Sequence, residues 1–196
     1  KVEVAGPDAL KVIQSVTTSN MDVKIGRVVY TLMLNKGGGI ELDGTITRLA
    51  EDRFLVVTPT AAQTKTLAML RRAARGHAAA TFDASAGLAT IGIMGPNSRE
   101  LLSRISPADF STENQPWGTA REIEVGNGSA LCLRVSFVGE LGYELYPTND
   151  MAASIYDSVI EAGEGLGLRR AGYHALDSLR VEKGYRHLGH DIGPID

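Results

Sequence analysis

The sequence predicts an α+β fold made of a duplicated β-α-β-β-α-type unit. Two observations carry that expectation. The phrase VEVAGPDALKVIQSV near the start returns as IGIMGPNSRELLSRI, with Gly6 and Gly95 standing 89 residues apart. Each copy then runs into short strands around a strong turn signal and closes on a helix, the two closing helices starting about 90 residues apart. The expected subdomains are residues 1–87 and 88–196.

Taken in order, Val2–Val4 reads as a strand. Gly6-Pro7-Asp8 then opens a helix over ALKVIQSV, because proline suits a first helical turn whose N–H lacks a partner anyway. Thr17 to Asn20 is loop. The next stretch, VVYTLMLNKGGGIELDGTITRL, has hairpin grammar: an apolar strand (Val28–Leu34), a turn at Gly37–Gly39, and a second strand carrying Asp43. Arg53–Thr58 is a further strand. Thr58-Pro59 caps a helix through Leu67 and Leu70 to about Ala74, with Arg71, Arg72 and Arg75 complementing its dipole.

In the second copy Leu88–Met94 is a strand and SRELLSRI a helix. Strands at Ala120–Val125 and Ala130–Phe137 flank the turn signal Asn127-Gly128. A strand at Tyr143–Tyr146 and a helix at Asn149–Ala162 complete it, and a last helix runs from Gly172 to Lys183, stopped by Gly184. Both ends look cut: Lys1 enters a strand at once, and Gly193-Pro194-Ile195-Asp196 follows directly on the exit from that helix. A fragment of a longer polypeptide is expected.

Composition narrows the function classes. The apolar share is 43% and the net charge −3, with no basic run longer than Arg71–Arg72 or Arg169–Arg170, so a nucleic-acid footprint has little support. No apolar run reaches a membrane span and no signal peptide is apparent. The single cysteine, Cys132, reads as a buried thiol in a reducing compartment, and a cytoplasmic setting is expected.

The candidate residues each admit two readings. Asp43, inside an otherwise uncharged run, is either a solvent-facing strand residue or a positioned acid or base. Glu144, between Tyr143 and Leu145, is either a solvated edge glutamate or the bidentate receiver of a planar N–H edge. Asp177 and Arg180 have the spacing of an ordinary helix ion pair. His77, His174, His187 and His190 lack metal-ligand spacing, so no metal is expected. The glycine turn lacks the Lys-Ser/Thr of a phosphate cradle, and no GxGxxG follows a strand.

Four separated motifs, YTLMLNKGGGIELDGTITRLAEDRFLVV, IGIMGPNSRELL, VSFVGELGYELY and GYHALDSLRVEKGYRHLGHDI, together resemble the folate-binding domain of the glycine-cleavage T-protein (aminomethyltransferase) family. They span essentially the whole chain in order. GELGYEL and ALDSLRVEKGYR look most like the folate domain fused behind an FAD amine oxidase domain in dimethylglycine and sarcosine dehydrogenases and oxidases. The resemblance implies the aminomethyltransferase folate-binding fold, tetrahydrofolate as cofactor, a methylamine-type donor, and FAD only on a separate fused or partner oxidase domain. It makes Asp43 the catalytic acid or base that stabilises an iminium and takes a proton. Glu144 would grip the pterin, while Tyr30, Met33 and Phe137 line the folate pocket. The chain departs from the family where Leu42 stands for the first of two aspartates, Phe137 for a tyrosine, and Leu176 for an arginine; the family's C-terminal β-barrel is not in this sequence. Two other functions fit the same motifs: direct transfer, as in the T-protein of glycine cleavage or a sulfonium demethylase, and a non-catalytic folate-binding module.

Overall fold

The computed structural model describes residues 1–195; Asp196, the last residue of the expected 88–196 segment, lies outside the described residues. The chain divides into two units. One comprises residues 1–85 together with the chain from His187 onward, the other residues 86–186. The tail from His187 therefore groups with the first unit, whereas the sequence reading assigned it to the second. The reason is contact: Leu188 packs against the first unit's core and the Asn35 amide donates to the Pro194 carbonyl at 3.1 Å.

In the first unit the chain order is β1 (Val2–Ala5), α1 (Ala9–Val16), β2 (Val28–Leu34), β3 (Ile40–Ala50), β4 (Arg53–Val57), a 3-10 turn (Thr60–Ala62), α2 (Gln63–Ala73) and β5 (Ala80–Asp83). All neighbours are antiparallel, in the order β2-β3-β4-β1-β5. The helices cover one face: Val12 and Ile13 of α1 and Leu70 of α2 pack on Val2, Val4, Met33, Leu42, Ile46, Phe54 and Val56. Strand β5 is not expected from the sequence. It is a short edge strand with mostly exposed side chains, so it has no apolar alternation to reveal it.

The second unit repeats the plan with β6 (Ile91–Met94), α3 (Ser98–Ile105), β7 (Ala120–Val125), β8 (Gly128–Leu133), β9 (Gly142–Pro147), α4 (Asn149–Ala162) and α5 (Tyr173–Lys183). Its order β6-β9-β8-β7 is the first unit's β1-β4-β3-β2, which bears out the internal duplication. Leu101, Leu102, Ile155 and Val159 from α3 and α4 pack on Ile93, Cys132, Tyr143 and Leu145. Burial pushes the Cys132 thiol up to about 11. Strand β8 ends at Leu133 rather than continuing to Phe137. The β7–β8 turn sits one residue earlier than Asn127-Gly128: Val125 pairs with Gly128, and Gly126 takes the positive φ of 55°. The Asp177–Arg180 pair forms at 2.6 Å, and the buried Arg180 also donates to the Tyr185 carbonyl at 3.0 Å, closing the end of α5.

The β2–β3 turn works differently from a simple triple-glycine bend. Only Gly38 has positive φ, at 91°. Asn35 Oδ1 accepts from the N–H groups of Gly37 (2.8 Å) and Gly39 (3.0 Å), which builds the turn. Gly39 is needed for clearance: a Cβ there would lie 1.8 Å from the Pro194 carbonyl oxygen, whereas one at Gly37 would meet only the Asn35 side chain, at 3.3 Å. Gly39→Ala is expected to destabilise the chain by about 1–3 kcal/mol by unseating the tail, with Gly37→Ala much milder; denaturant unfolding of the two variants checks this.

Candidate functional site

Parity along the first unit's sheet decides which residues meet. In the β2–β3 register Leu32 faces Asp43 and Met33 faces Leu42. Successive side chains alternate between faces, so Tyr30, Leu32 and Asp43 share the face turned away from α1 and α2. Met33 belongs to the other face. It is 0% exposed in the core beneath the helices, which removes it from the expected folate-lining set. Nearness to Tyr30 in sequence suggests the same face for Met33, but three residues along a strand reverse it.

Asp43 is 7% exposed, so it is not a solvated strand residue. Its Oδ2 accepts from the Tyr30 hydroxyl at 3.0 Å, a diagonal cross-strand contact. Its Oδ1 is buried with no hydrogen-bond partner. Burial raises the carboxyl above its usual range, partly offset by the Tyr30 hydrogen bond and the charge on His187. The Tyr30 phenol is raised in turn, by desolvation and then by the facing carboxylate. Its ring is 56% exposed, offering an aromatic surface beside the acid. A half-satisfied buried carboxylate is costly. Its unused oxygen suits a hydrogen-bond donor or cation from a ligand.

In the second unit Glu144 sits on β9, an inner strand paired with β6 and β8, so the edge-strand reading is wrong. Its neighbours across the ladder are Gly92 and Leu133. Tyr143 and Leu145 point into the core, and Glu144 points away from α3 and α4. Tyr146, two residues on and on the same face, donates its hydroxyl to Glu144 Oε2. Burial raises the half-buried carboxyl despite that hydrogen bond; the Tyr146 hydroxyl is held well up by its own burial and by the carboxylate. A Cβ at Gly92 would meet only Met94 Cε, at 3.6 Å, so the sheet has an unfilled place beside the carboxylate. A flat heterocyclic edge fits such a shelf, with the glutamate as acceptor. Phe137 lies off the sheet, in the loop after β8, with its ring stacked on Tyr185 at 6.1 Å and 17°.

Two contributors escaped the sequence reading. Tyr146 has its signal in the i, i+2 spacing from Glu144. His187 belongs to a tail that groups with the first unit, and its charge offsets part of the effect of burial on the Asp43 carboxyl. Among the described residues no group of three His, Cys, Asp or Glu side chains is placed to hold a metal ion, and no helix is long and apolar enough to cross a membrane.

Comparison with known proteins extends this geometry. The chain is 66% identical to 4-methylaminobutanoate oxidase (formaldehyde-forming) of Paenarthrobacter nicotinovorans over 196 residues, which is 100% of this chain and 24% of that protein. It is 33% identical to mitochondrial sarcosine dehydrogenase of Mus musculus over 211 residues, again 100% of this chain and 23% of that protein. The chain thus spans about a quarter of the length of these relatives. The crystal structure of the glycine cleavage system aminomethyltransferase T from Bartonella henselae superposes with a TM-score of 0.86 at 25% identity, covering 98% of this chain and 51% of that one. The mixed sheet-and-helix architecture is that of the aminomethyltransferase fold. The family model described as the GCVT N-terminal domain matches residues 1–196, and with fold and sequence in agreement the chain belongs to that family.

Proposed function

We propose that this chain is the tetrahydrofolate-binding part of a one-carbon transferase that receives its unit from an N-methylated amine, in the manner of the dimethylglycine and sarcosine demethylating enzymes. The observation that carries the reading is Asp43: a buried carboxylate, anchored by Tyr30, with one oxygen left without a protein partner. The relatives named above support the donor class, since one is a 4-methylaminobutanoate oxidase (formaldehyde-forming) and another a sarcosine dehydrogenase. FAD chemistry belongs on this reading to a separate fused or partner oxidase domain. The buried thiol of Cys132 fits a reducing, cytoplasmic setting.

Tetrahydrofolate, when bound, supplies nucleophilic nitrogens that accept a one-carbon unit. Glu144 accepts hydrogen bonds from a planar N–H edge over the shelf at Gly92. Tyr30 presents its ring as a wall and holds Asp43 by Oδ2. Asp43 offers Oδ1 to stabilise positive charge on the donor carbon and to take up the proton released on transfer. Phe137, in its stack with Tyr185, presents an aromatic face without the hydroxyl that a tyrosine would add. The likeness to aminomethyltransferase T favours a second reading, in which an aminomethyl donor meets Asp43.

Calorimetric titration of the chain with tetrahydrofolate, followed by a methylene-transfer assay with formaldehyde as donor, tests the proposal. Saturable binding with chain-dependent acceleration is the expected result. Binding without acceleration would make the chain a non-catalytic folate module, and absence of binding by the folded chain would refute the reading.

A further inference from the structure

The face of the first unit's sheet that carries Asp43 is laid out in rungs. Leu32 stands directly across from Asp43, and Tyr30 across from Thr45 on the next rung of that face. Strand β2 is an edge strand, and both backbone groups of Leu32 turn outward, away from β3. Its carbonyl accepts from the Thr18 N–H at 3.0 Å, and its N–H donates to Thr18 Oγ1 at 3.3 Å. Leu32 and Asp43 are therefore a non-hydrogen-bonded pair. That is the antiparallel arrangement in which opposed side chains come closest, with Cβ atoms about 4.5–5.5 Å apart. Leu32 is half-buried in this position.

We propose that Leu32 is the apolar wall of Asp43, a positioning residue whose side chain fills the place beside the carboxyl where a hydrogen-bond donor would otherwise stand. The kinetic consequence rests on the function proposed above; the pairing of wall and acid does not.

The neighbours of Asp43 leave one of its oxygens to that wall. Tyr30, on the diagonal, donates to Oδ2, while Oδ1 is buried without a hydrogen bond. The charge on His187, from the tail, also acts on the carboxyl, and Glu41, two residues before it on β3, is paired with Lys65 of α2. At the separation of an opposed pair, an amide or hydroxyl at position 32 would reach the carboxyl. Leucine offers it only methyl groups. The residue directly opposite thus decides whether the acid is half or fully satisfied. A half-satisfied carboxylate is costly. In exchange it keeps an oxygen for a donor or cation carried by a ligand, and it remains a stronger base than one hydrogen-bonded on both sides.

Titration of the Asp43 carboxyl carbon by NMR in the full chain tests this in the parent, Leu32→Asn, Leu32→Thr and Leu32→Met. The amide and the hydroxyl each bring a donor to the acid. Both variants are expected to lower the Asp43 midpoint by about 1–2 pH units, the equivalent of one hydrogen bond to a charged group. Methionine, apolar and close to leucine in volume, is expected to keep the parent midpoint. Threonine suits a strand, so it keeps the test open should asparagine disturb the hairpin. A midpoint unmoved in the folded polar variants, or lowered as far by methionine, would overturn the proposal. In the transfer assay the acid limb of the rate profile is expected to move down with the Asp43 midpoint; a limb that stays put while the midpoint moves would overturn the kinetic role. Lowered midpoints in a chain that, like its parent, transfers nothing at any pH would support the wall and refute the transferase reading.

Discussion

Asp43→Asn is expected to leave tetrahydrofolate binding close to that of the parent and to slow one-carbon transfer by about 10²–10⁴-fold, the usual contribution of a positioned acid or base. Asparagine keeps the shape and can still accept from the Tyr30 hydroxyl, but it neither takes a proton nor offsets positive charge. A stopped-flow transfer assay beside the binding titration separates the two effects, and an unchanged rate would remove Asp43 from the chemistry. The same substitution has a signature in stability. The carboxyl is raised above its unfolded value, so between those two values the folded chain binds more protons than the unfolded one. The parent's stability therefore falls as pH rises through that window, and the penalty is absent below the ordinary carboxylate range near pH 4. Asparagine does not titrate. Thermal unfolding should show the variant gaining on the parent as the pH rises above about 4.

Glu144→Ala is expected to weaken tetrahydrofolate binding by about 10–10²-fold. A hydrogen bond to a charged group contributes about 1.5–3 kcal/mol, and the alanine removes the acceptor together with the hydrogen bond it takes from the Tyr146 hydroxyl. Glu144→Gln, which keeps one carbonyl acceptor without the charge, should lie between parent and alanine. The fold should survive both changes, because Glu144 points away from the core of the second unit and burial disfavours its charge. Calorimetry of the three proteins, with unfolding midpoints as a control, is the measurement. Equal affinities would separate Glu144 from folate recognition.

The legible part of this molecule was its repetition. The GP-led phrases at Gly6 and Gly95 each open a helix that packs on the first strand of a four-strand plan, and the two sheets have matching order. Asp43 stood out as the one charge in the run from Leu42 to Thr47 and Glu144 as the one carboxylate of its strand, and each proved to be a carboxyl raised by burial. What local sequence did not carry was tertiary. The face of Met33 depends on counting parity from the paired strand, and that requires the register. The turn of β7–β8 shifted by one because Gly126, outside the Asn-Gly signal, supplies the positive φ. The link between Asn35 and Pro194 spans 159 residues. No window of periodicity reaches that far.

Strand β3 also constrains how this site can change over evolutionary time. Irregular steps in the ladder fall between Met33 and Leu34 on one side and between Arg48 and Ala50 on the other. Between them the register from Leu42 to Thr47 is unbroken. An insertion or deletion within that run would turn Asp43 inward and Leu42 outward in one event, exchanging the acid for a leucine. Gained or lost residues at the bulges can be absorbed locally, as can changes in the glycine turn. Lineages can thus vary the length of the loops on both sides while the acid keeps its orientation, and the run from Leu42 to Thr47 can diverge by substitution only.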